Sequence, residues 1–309
     1  MKTVIVGPGA IGSLFSAFLA RSKEEVWLLD KDRERARKIS KKGITVEGVS
    51  GNWQVKVGVT ADPREIGRSD LVIICVKSYD TKEAIIYASS LIGKDTQVLT
   101  LQNGLGNIEI IGETVGSKKV IGGLTNQGAT LIESGHIRHA GRGETVIGRL
   151  DGRLTPELHR ICRVFNRAGL ETKISKDIEG MLWSKLIVNC GINAITAITR
   201  LNNGRLVEFE GSRRILREAV AEAVKVAKKR RIKLIYDDPI VKVEAVCRAT
   251  GANISSMLQD ILREKPTEID FINGVIVQQG RSLKVLTPVN SILVDLVKTI
   301  EATYNLRIE

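Results

Sequence analysis

The sequence predicts an α/β N-terminal domain built on an open, mostly parallel sheet, followed by an all-α C-terminal domain. Three observations carry this. Short apolar runs alternate with amphipathic stretches through the first half. A glycine turn joins the first apolar run to the first amphipathic one. Beyond residue 176 every segment has helical spacing, so the boundary is expected there, with domains over 1–176 and 177–309.

KTVIVG is a short apolar strand, GPGAIGSLFSAFLARSK a turn feeding an amphipathic helix, and EVWLLD a second strand. The turn is Gly7-Pro8-Gly9-Ala10-Ile11-Gly12, a GxGxxG pattern. Alone it is weak, because glycine is common. Its context is right: strand before, helix after, and an acid, Asp30, closing the next strand about 20 residues on. One glycine serves the tight turn, one lets backbone approach a pyrophosphate, and one allows close helix-to-strand packing. The phosphate would sit on the helix N-terminus, where free amides and the dipole favour an anion. A Rossmann-type dinucleotide-binding domain is therefore expected.

SDLVIICVKSYDT and DTQVLTLQNGLGN are continuous apolar strands, ending at Lys77 and at Gln102-Asn103-Gly104. Runs buried on both faces belong to parallel sheets, whose ligands bind at the carboxyl ends of the strands. Lys77 and Asn103 are thus expected at the rim that carries the glycine turn. KKVIGGLTNQGATLIESGHIRHAGRGETVIGRL then breaks into short β-rich pieces, the mark of an antiparallel finish. His136 and His139 fall there without an acid pair beside them, which suits surface or structural roles. A helix about TPELHRICRVFNRAG and a strand ETKIS complete the domain.

Six helical stretches follow. Thr287-Pro288 offers a cap and a first-turn proline, and Thr267 with Asp270 resembles a capping box. The first stretch, MLWSKLIVNCGINAITAI, is apolar nearly all round yet carries Lys185, Asn189 and Asn193 four residues apart. Residues at i, i+4 and i+8 share one stripe, climbing about 12 Å. A buried ammonium is costly unless paired, and desolvation lowers its pKa. The stripe is either a structural polar network or the lining of a cleft that holds a polar ligand.

Composition removes several classes. With 309 residues, 43% of them hydrophobic, the chain can build two ordinary cores. Lys185 and the asparagines interrupt the best membrane-span candidate, and MKTVIVGPGAIGS opens directly as strand and turn, so a cytosolic protein that does not engage membranes is expected. Cys75, Cys162, Cys190 and Cys247 are widely spaced in apolar settings, which favours reduced thiols over a metal site or disulfides. The net charge of +12 would suit nucleic acid, but acids interleave with the bases. The dense run Lys228-Lys229-Arg230-Arg231 ends a helix, where cations complement the dipole. No nucleic-acid partner is expected.

WSKLIVNCGINAIT followed by Asn203-Gly204, then SSMLQD and TEIDFINGVIV, with QNGLGN and GATLIESGHIRHAGRGETVIG before them, resemble the ketopantoate reductase (2-dehydropantoate 2-reductase) family. The likeness runs in order over nearly the whole chain. It implies reduction of 2-dehydropantoate to (R)-pantoate with NADPH, within pantothenate and coenzyme A synthesis, and a homodimer. By the resemblance Lys185 is the general acid and Glu268 its acidic partner. Asn189, Asn193 and Ser256 match positions that meet the substrate's hydroxyl and carboxylate groups, as does Asn203 more weakly. Asn103 and Lys77 match residues near the nicotinamide.

General chemistry is compatible with those roles. Hydride addition to a ketone builds charge on oxygen, which a proton-bearing cation stabilises and then quenches. A carboxylate such as Glu268 would keep the proton on a desolvated lysine. The cofactor stays open between NADPH and NADH. Asp30 suits ribose hydroxyls and repels the extra phosphate of NADPH, whereas Lys31 and Arg33 beside it would neutralise that phosphate. Two other readings stay open: an oxidoreductase of similar layout acting on another 2-oxo or 3-hydroxy acid, and a nucleotide-sensing or basic binding protein without turnover.

Overall fold

The computed structural model describes residues 1–306. The chain runs β1 (Thr3–Val6), α1 (Ala10–Arg21), β2 (Val26–Leu29), α2 (Arg33–Lys42), β3 (Ile44–Gly48), β4 (Trp53–Val55), β5 (Gly58–Thr60), β6 (Ser69–Ile74) and α3 (Thr81–Tyr87). It continues through β7 (Ile92–Thr100), α4 (Asn107–Val115), β8 (Val120–Thr125), β9 (Gly128–Glu133), β10 (His136–Gly141), β11 (Thr145–Gly148), α5 (Pro156–Arg167) and β12 (Thr172–Ile174). The helical part is α6 (Ile178–Thr199), α7 (Glu210–Lys229), α8 (Pro239–Ala249), α9 (Ser256–Leu262), α10 (Val275–Leu283) and α11 (Pro288–Ala302).

Two compact units result. The first comprises Met1–Gln102 and Asn107–Ile178; the second comprises Asn103–Gly106 and Glu179 onward. Four residues of the β7–α4 connection therefore belong with the helices.

The first unit holds a sheet in the order β12-β11-β8-β7-β6-β1-β2-β5. β5, β2, β1, β6, β7 and β8 are mutually parallel, and β11 runs antiparallel to β8. Strand alternation explains why the central runs are apolar throughout. Ile5, Leu71 and Ile73 pack on one face with Phe15 of α1 and Phe165 of α5, whose rings meet edge-on at 5.5 Å. Val4, Val6, Val72 and Ile74 point to the other face, against Ile85 of α3 and Ile111 of α4. Both faces are covered, as a parallel sheet requires.

The antiparallel finish is present at β8–β11, but β9 and β10 leave to form a second sheet, β4-β3-β10-β9. Phe18 of α1 seats it, edge-on to Trp53 at 5.4 Å and to His139 at 5.6 Å. One expectation for the histidines needs correcting. His136 Nε2 does have an acid, Glu47 at 3.0 Å across the β10–β3 pair. His139 is buried against Gln127, and burial lowers its pKa. Both are structural.

In the second unit α6 forms the spine of the core through Trp183, Leu186, Ile187, Cys190, Ile192 and Ile195. The expected interruption of a span-length helix does not hold. Ile178–Thr199 is long and apolar enough to cross a membrane by length and composition, with 67% of its most apolar window buried inside the protein. That burial is what a core helix shows. Thr287 occupies the N-cap of α11 ahead of Pro288, but its side chain makes no cap bond. The buried Glu222 carboxylate, from α7, accepts instead from Val289 N at 2.9 Å, Asn290 N at 3.0 Å and Asn290 Nδ2 at 2.7 Å. The expected capping box at Thr267 is also absent. Its hydroxyl accepts from Ile269 N, two residues on, and the chain enters a π-turn over Asp270–Gly274 before α10.

Candidate active site

Gly7 has φ +103°, and a Cβ there would lie 2.8 Å from the Val76 side chain. At Gly12 a Cβ would stand 2.0 Å from the Gly7 carbonyl oxygen, so the turn can close only on glycine. Gly9 is the N-cap of α1 and brings no side-chain cap; the first turn of the helix carries no acid. Backbone amides at Ala10 and Ile11 are thus presented without a competing carboxylate, beside Pro8, whose carbonyl accepts from Ser13 Oγ. This cradle fits a pyrophosphate.

The edge next to it differs from expectation. Gly7 N donates to Leu29 O at 3.0 Å, so the end of β2 adjoins the turn. Asp30, the next residue, is only 2% exposed. Its oxygens are engaged by Arg35, Nε to Oδ2 at 2.5 Å and Nη2 to Oδ1 at 2.6 Å. Lys31 is paired with Asp80 at 3.6 Å and Glu83 at 3.3 Å. Arg35 was not singled out in the sequence, although a basic residue in the first turn of a helix reaches back toward the preceding strand.

Lys77 follows β6 and starts the short 3-10 segment Ser78–Asp80. Beneath it Gln102 Nε2 donates to Val76 O at 2.9 Å and to Thr81 Oγ1 at 2.8 Å, and Asn107 Nδ2 reaches Ser78 Oγ at 3.1 Å. This buried network fixes the strand ends. All of its members lie within SDLVIICVKSYDT and DTQVLTLQNGLGN, although only Gln102 is named there, as a strand end.

In the helical unit three residues from distant segments share one electrostatic setting. Lys185 is half-buried on α6. Burial pulls its ammonium down from the ordinary 10.5 to about 8, and the Glu268 charge opposes that fall. Glu268 is 5% exposed, at the entry to the π-turn, where its carbonyl accepts from both Phe271 N and Ile272 N at 3.1 Å. Its carboxylate oxygen Oε2 also accepts a long hydrogen bond of 3.5 Å from Asn103 Nδ2. The loop carrying Asn103 is seated by Leu105 N donating to Phe271 O at 3.1 Å. Gly104, at φ +82°, leaves no room for a Cβ, which would lie 2.4 Å from that same oxygen.

The remaining candidates divide. Asn189 is half-buried and Asn193 is 5% exposed, both along the Lys185 stripe of α6. Ser256 is the first residue of α9, half-buried, while Ser255 before it caps the helix through Leu258 N and meets Thr196 Oγ1 of α6 at 2.7 Å. Asn203 is tied into the loop after α8, its Nδ2 donating to Thr250 Oγ1 at 3.0 Å and its N to Asn253 O at 3.0 Å. A separate depression of ≈ 750 Å³ beside it is lined by Asn202, Gly204, Arg205, Glu208, Arg213 and Arg248 and includes none of Lys185, Glu268 or Asn103. Among the described residues no cluster of three or more His, Cys, Asp or Glu could hold a metal ion.

An ammonium near neutrality, a carboxylate that biases its proton and an amide donor form a set able to protonate a polar oxygen. The comparisons with known proteins agree with such chemistry. A curated 2-dehydropantoate 2-reductase of Pyrococcus horikoshii is 39% identical, covering 98% of this chain and 98% of its own. That of Halobacterium salinarum is 36% identical over 96% of this chain and 98% of its own. The crystal structure of a PanE/ApbA family ketopantoate reductase from Ralstonia eutropha has a TM-score of 0.92 at 35% identity, covering 99% of this chain and all of that one. A ternary structure of D-mandelate dehydrogenase with NADH and anilino(oxo)acetate has a TM-score of 0.91 at 29% identity, with 99% and 100% covered. Residues 3–152 match the family described as ketopantoate reductase PanE/ApbA, and residues 177–301 match its C-terminal counterpart. The chain belongs to the ketopantoate reductase family.

Proposed function

We propose that this chain reduces 2-dehydropantoate to (R)-pantoate with a reduced nicotinamide dinucleotide, NADPH or NADH, in pantothenate and coenzyme A synthesis. The observation that carries the reading is the end-to-end match of the chain to 2-dehydropantoate 2-reductases, supported by Lys185, whose ammonium burial pulls down to about 8 against the opposing charge of Glu268. The cytosol and a homodimer belong to the same reading, the latter supported by the family's preference.

Gly7, Pro8, Gly9, Ala10, Ile11 and Gly12 hold the pyrophosphate, through amides freed by an uncapped helix start. Lys77 and Asn103 border the nicotinamide end. When bound, the cofactor supplies hydride to the carbonyl carbon. Lys185 stabilises the negative charge that develops on the substrate oxygen and transfers its Nζ proton there. Glu268 keeps that proton on the amine against the pull of burial. Asn103 Nδ2, donating to Glu268 Oε2, helps aim the carboxylate. Asn189, Asn193 and Ser256 suit the substrate's hydroxyl and carboxylate, because amide and hydroxyl groups donate and accept without changing net charge. Asn203, the weaker match of the same kind, gives its Nδ2 and N to the 250–253 loop and keeps Oδ1 as an acceptor.

A second reading, turnover of a different 2-oxo acid, is favoured by the likeness to D-mandelate dehydrogenase. The deciding measurement is loss of reduced-nicotinamide absorbance with 2-dehydropantoate against a panel of other 2-oxo acids. Efficient turnover of 2-dehydropantoate alone supports the first reading, and preference for another acid supports the second. Binding of nucleotide without turnover of any acid would sink both.

A further inference from the structure

We infer that Arg35, gripped by Asp30, is the residue that receives the adenosine 2′-phosphate of NADPH, so that the acid at the end of β2 positions a cation instead of contacting the ribose. The inference rests on the nucleotide reading of the glycine turn.

A carboxylate at this place selects NADH only if its oxygens are open to the ribose hydroxyls and its charge is unspent. Neither holds here. The Asp30 side chain is 1% exposed, and its two oxygens already accept three hydrogen bonds, two from Arg35 and one from Asp32 N at 3.1 Å. The solvent-facing member of the pair is Arg35, with 38% of its side chain exposed. Of five guanidinium N–H donors the clamp takes two, one on Nε and one on Nη2. The others lie in a plane fixed by the buried carboxylate, and a planar fork matches phosphate oxygens better than an ammonium does.

Asp30 balances one positive charge here and Glu34 adds an acid to the first turn of α2, so the capacity to receive a phosphate lies in the fork's remaining N–H donors together with Arg33. Asp62 is held by Arg64 through Nε at 2.9 Å and Nη2 at 2.6 Å. Asp32 accepts from Arg35 N at 3.0 Å as the N-cap of α2. Lys31 is engaged by Asp80 and Glu83, and the first turn of α2 carries Arg33 and Arg35 with one acid, Glu34, between them. The Gly7 N to Leu29 O bond joins this edge to the phosphate turn within one unit.

The test is calorimetric binding of adenosine 2′,5′-bisphosphate and of 5′-AMP to the full chain, which involves no turnover. Arg35→Ala should weaken the bisphosphate by about tenfold or more, the value of one charge-assisted contact, and leave 5′-AMP within about twofold. Arg35→Lys, which can still pair with Asp30, should also weaken the bisphosphate selectively, because the fork is gone. Asp30→Asn should follow Arg35→Ala. Equal losses for both probes in either Arg35 variant would make the pair a structural clamp and overturn the inference. So would an Asp30→Asn protein that loses 5′-AMP but keeps the bisphosphate. If neither probe binds the wild-type chain, the nucleotide reading itself fails.

Discussion

The Glu268 carboxylate accepts a hydrogen bond from Asn103, 165 residues earlier in the chain, and the charge of the same carboxylate opposes the fall that burial imposes on the Lys185 pKa. One acidic group thus links three segments that no local pattern connects. Its effect on the lysine is opposed to that of burial, and the balance falls near neutrality.

Replacing Lys185 with alanine should therefore lower kcat by about 10²–10⁴, the usual worth of a positioned general acid. Nucleotide affinity, which the proposed glycine-turn site of the other unit would carry, should barely change. Steady-state kinetics and nucleotide titration of one preparation check this together. Comparable losses of both would make Lys185 a structural residue.

The pH dependence of kcat/KM follows from the sign of the shift. The active form is protonated, so reduction should be flat below about pH 8 and fall about tenfold per unit above it. Glu268→Gln removes the charge that raises the lysine's pKa, so the fall should begin at lower pH. A breakpoint that stays put in the Gln variant would break the electrostatic link between the two residues.

Gly12→Ala is expected to be damaging despite adding a single methyl group. Its Cβ would stand 2.0 Å from the Gly7 carbonyl oxygen, so turn and helix must separate. Nucleotide binding should drop more than about tenfold, with a lower Tm. Normal binding by this variant would mean the turn has slack that the geometry denies.

Glu222→Ala tests the core of the helical unit. The substitution strands Val289 N, Asn290 N and one N–H of the Asn290 side-chain amide, whose Nδ2 keeps its bond to Ala219 O. A loss of about 3 kcal/mol is expected, read as a lower denaturation midpoint. Nucleotide affinity should be unchanged.

What the sequence disclosed follows the reach of each interaction. The glycine turn was legible because the contact of Gly12 with the Gly7 carbonyl acts within six residues, although Gly7 itself also abuts Val76. The central strands were legible because burial on both faces leaves no polar position in Val4-Ile5-Val6 or Leu71-Val72-Ile73-Ile74. The small second sheet was not, since β3 finds β10 about ninety residues later and neither strand declares its partner. Asp30 stands at the end of β2 as the pattern implies, but its state was not legible, because its partner Arg35 lies two residues beyond Arg33, on the helix that follows. Near Glu268 the Thr267-to-Asp270 spacing suggested a capping box where a π-turn forms, for a widened turn leaves no mark on residue spacing.

The grouping of residues 103–106 with the helices has a practical consequence for anyone dissecting this protein. No single scission yields both halves intact. A fragment beginning at Glu179 would lack the asparagine that touches Glu268, and a chimera that exchanges helical halves between relatives must transplant this tetrapeptide too, or pair one protein's acid with another's amide.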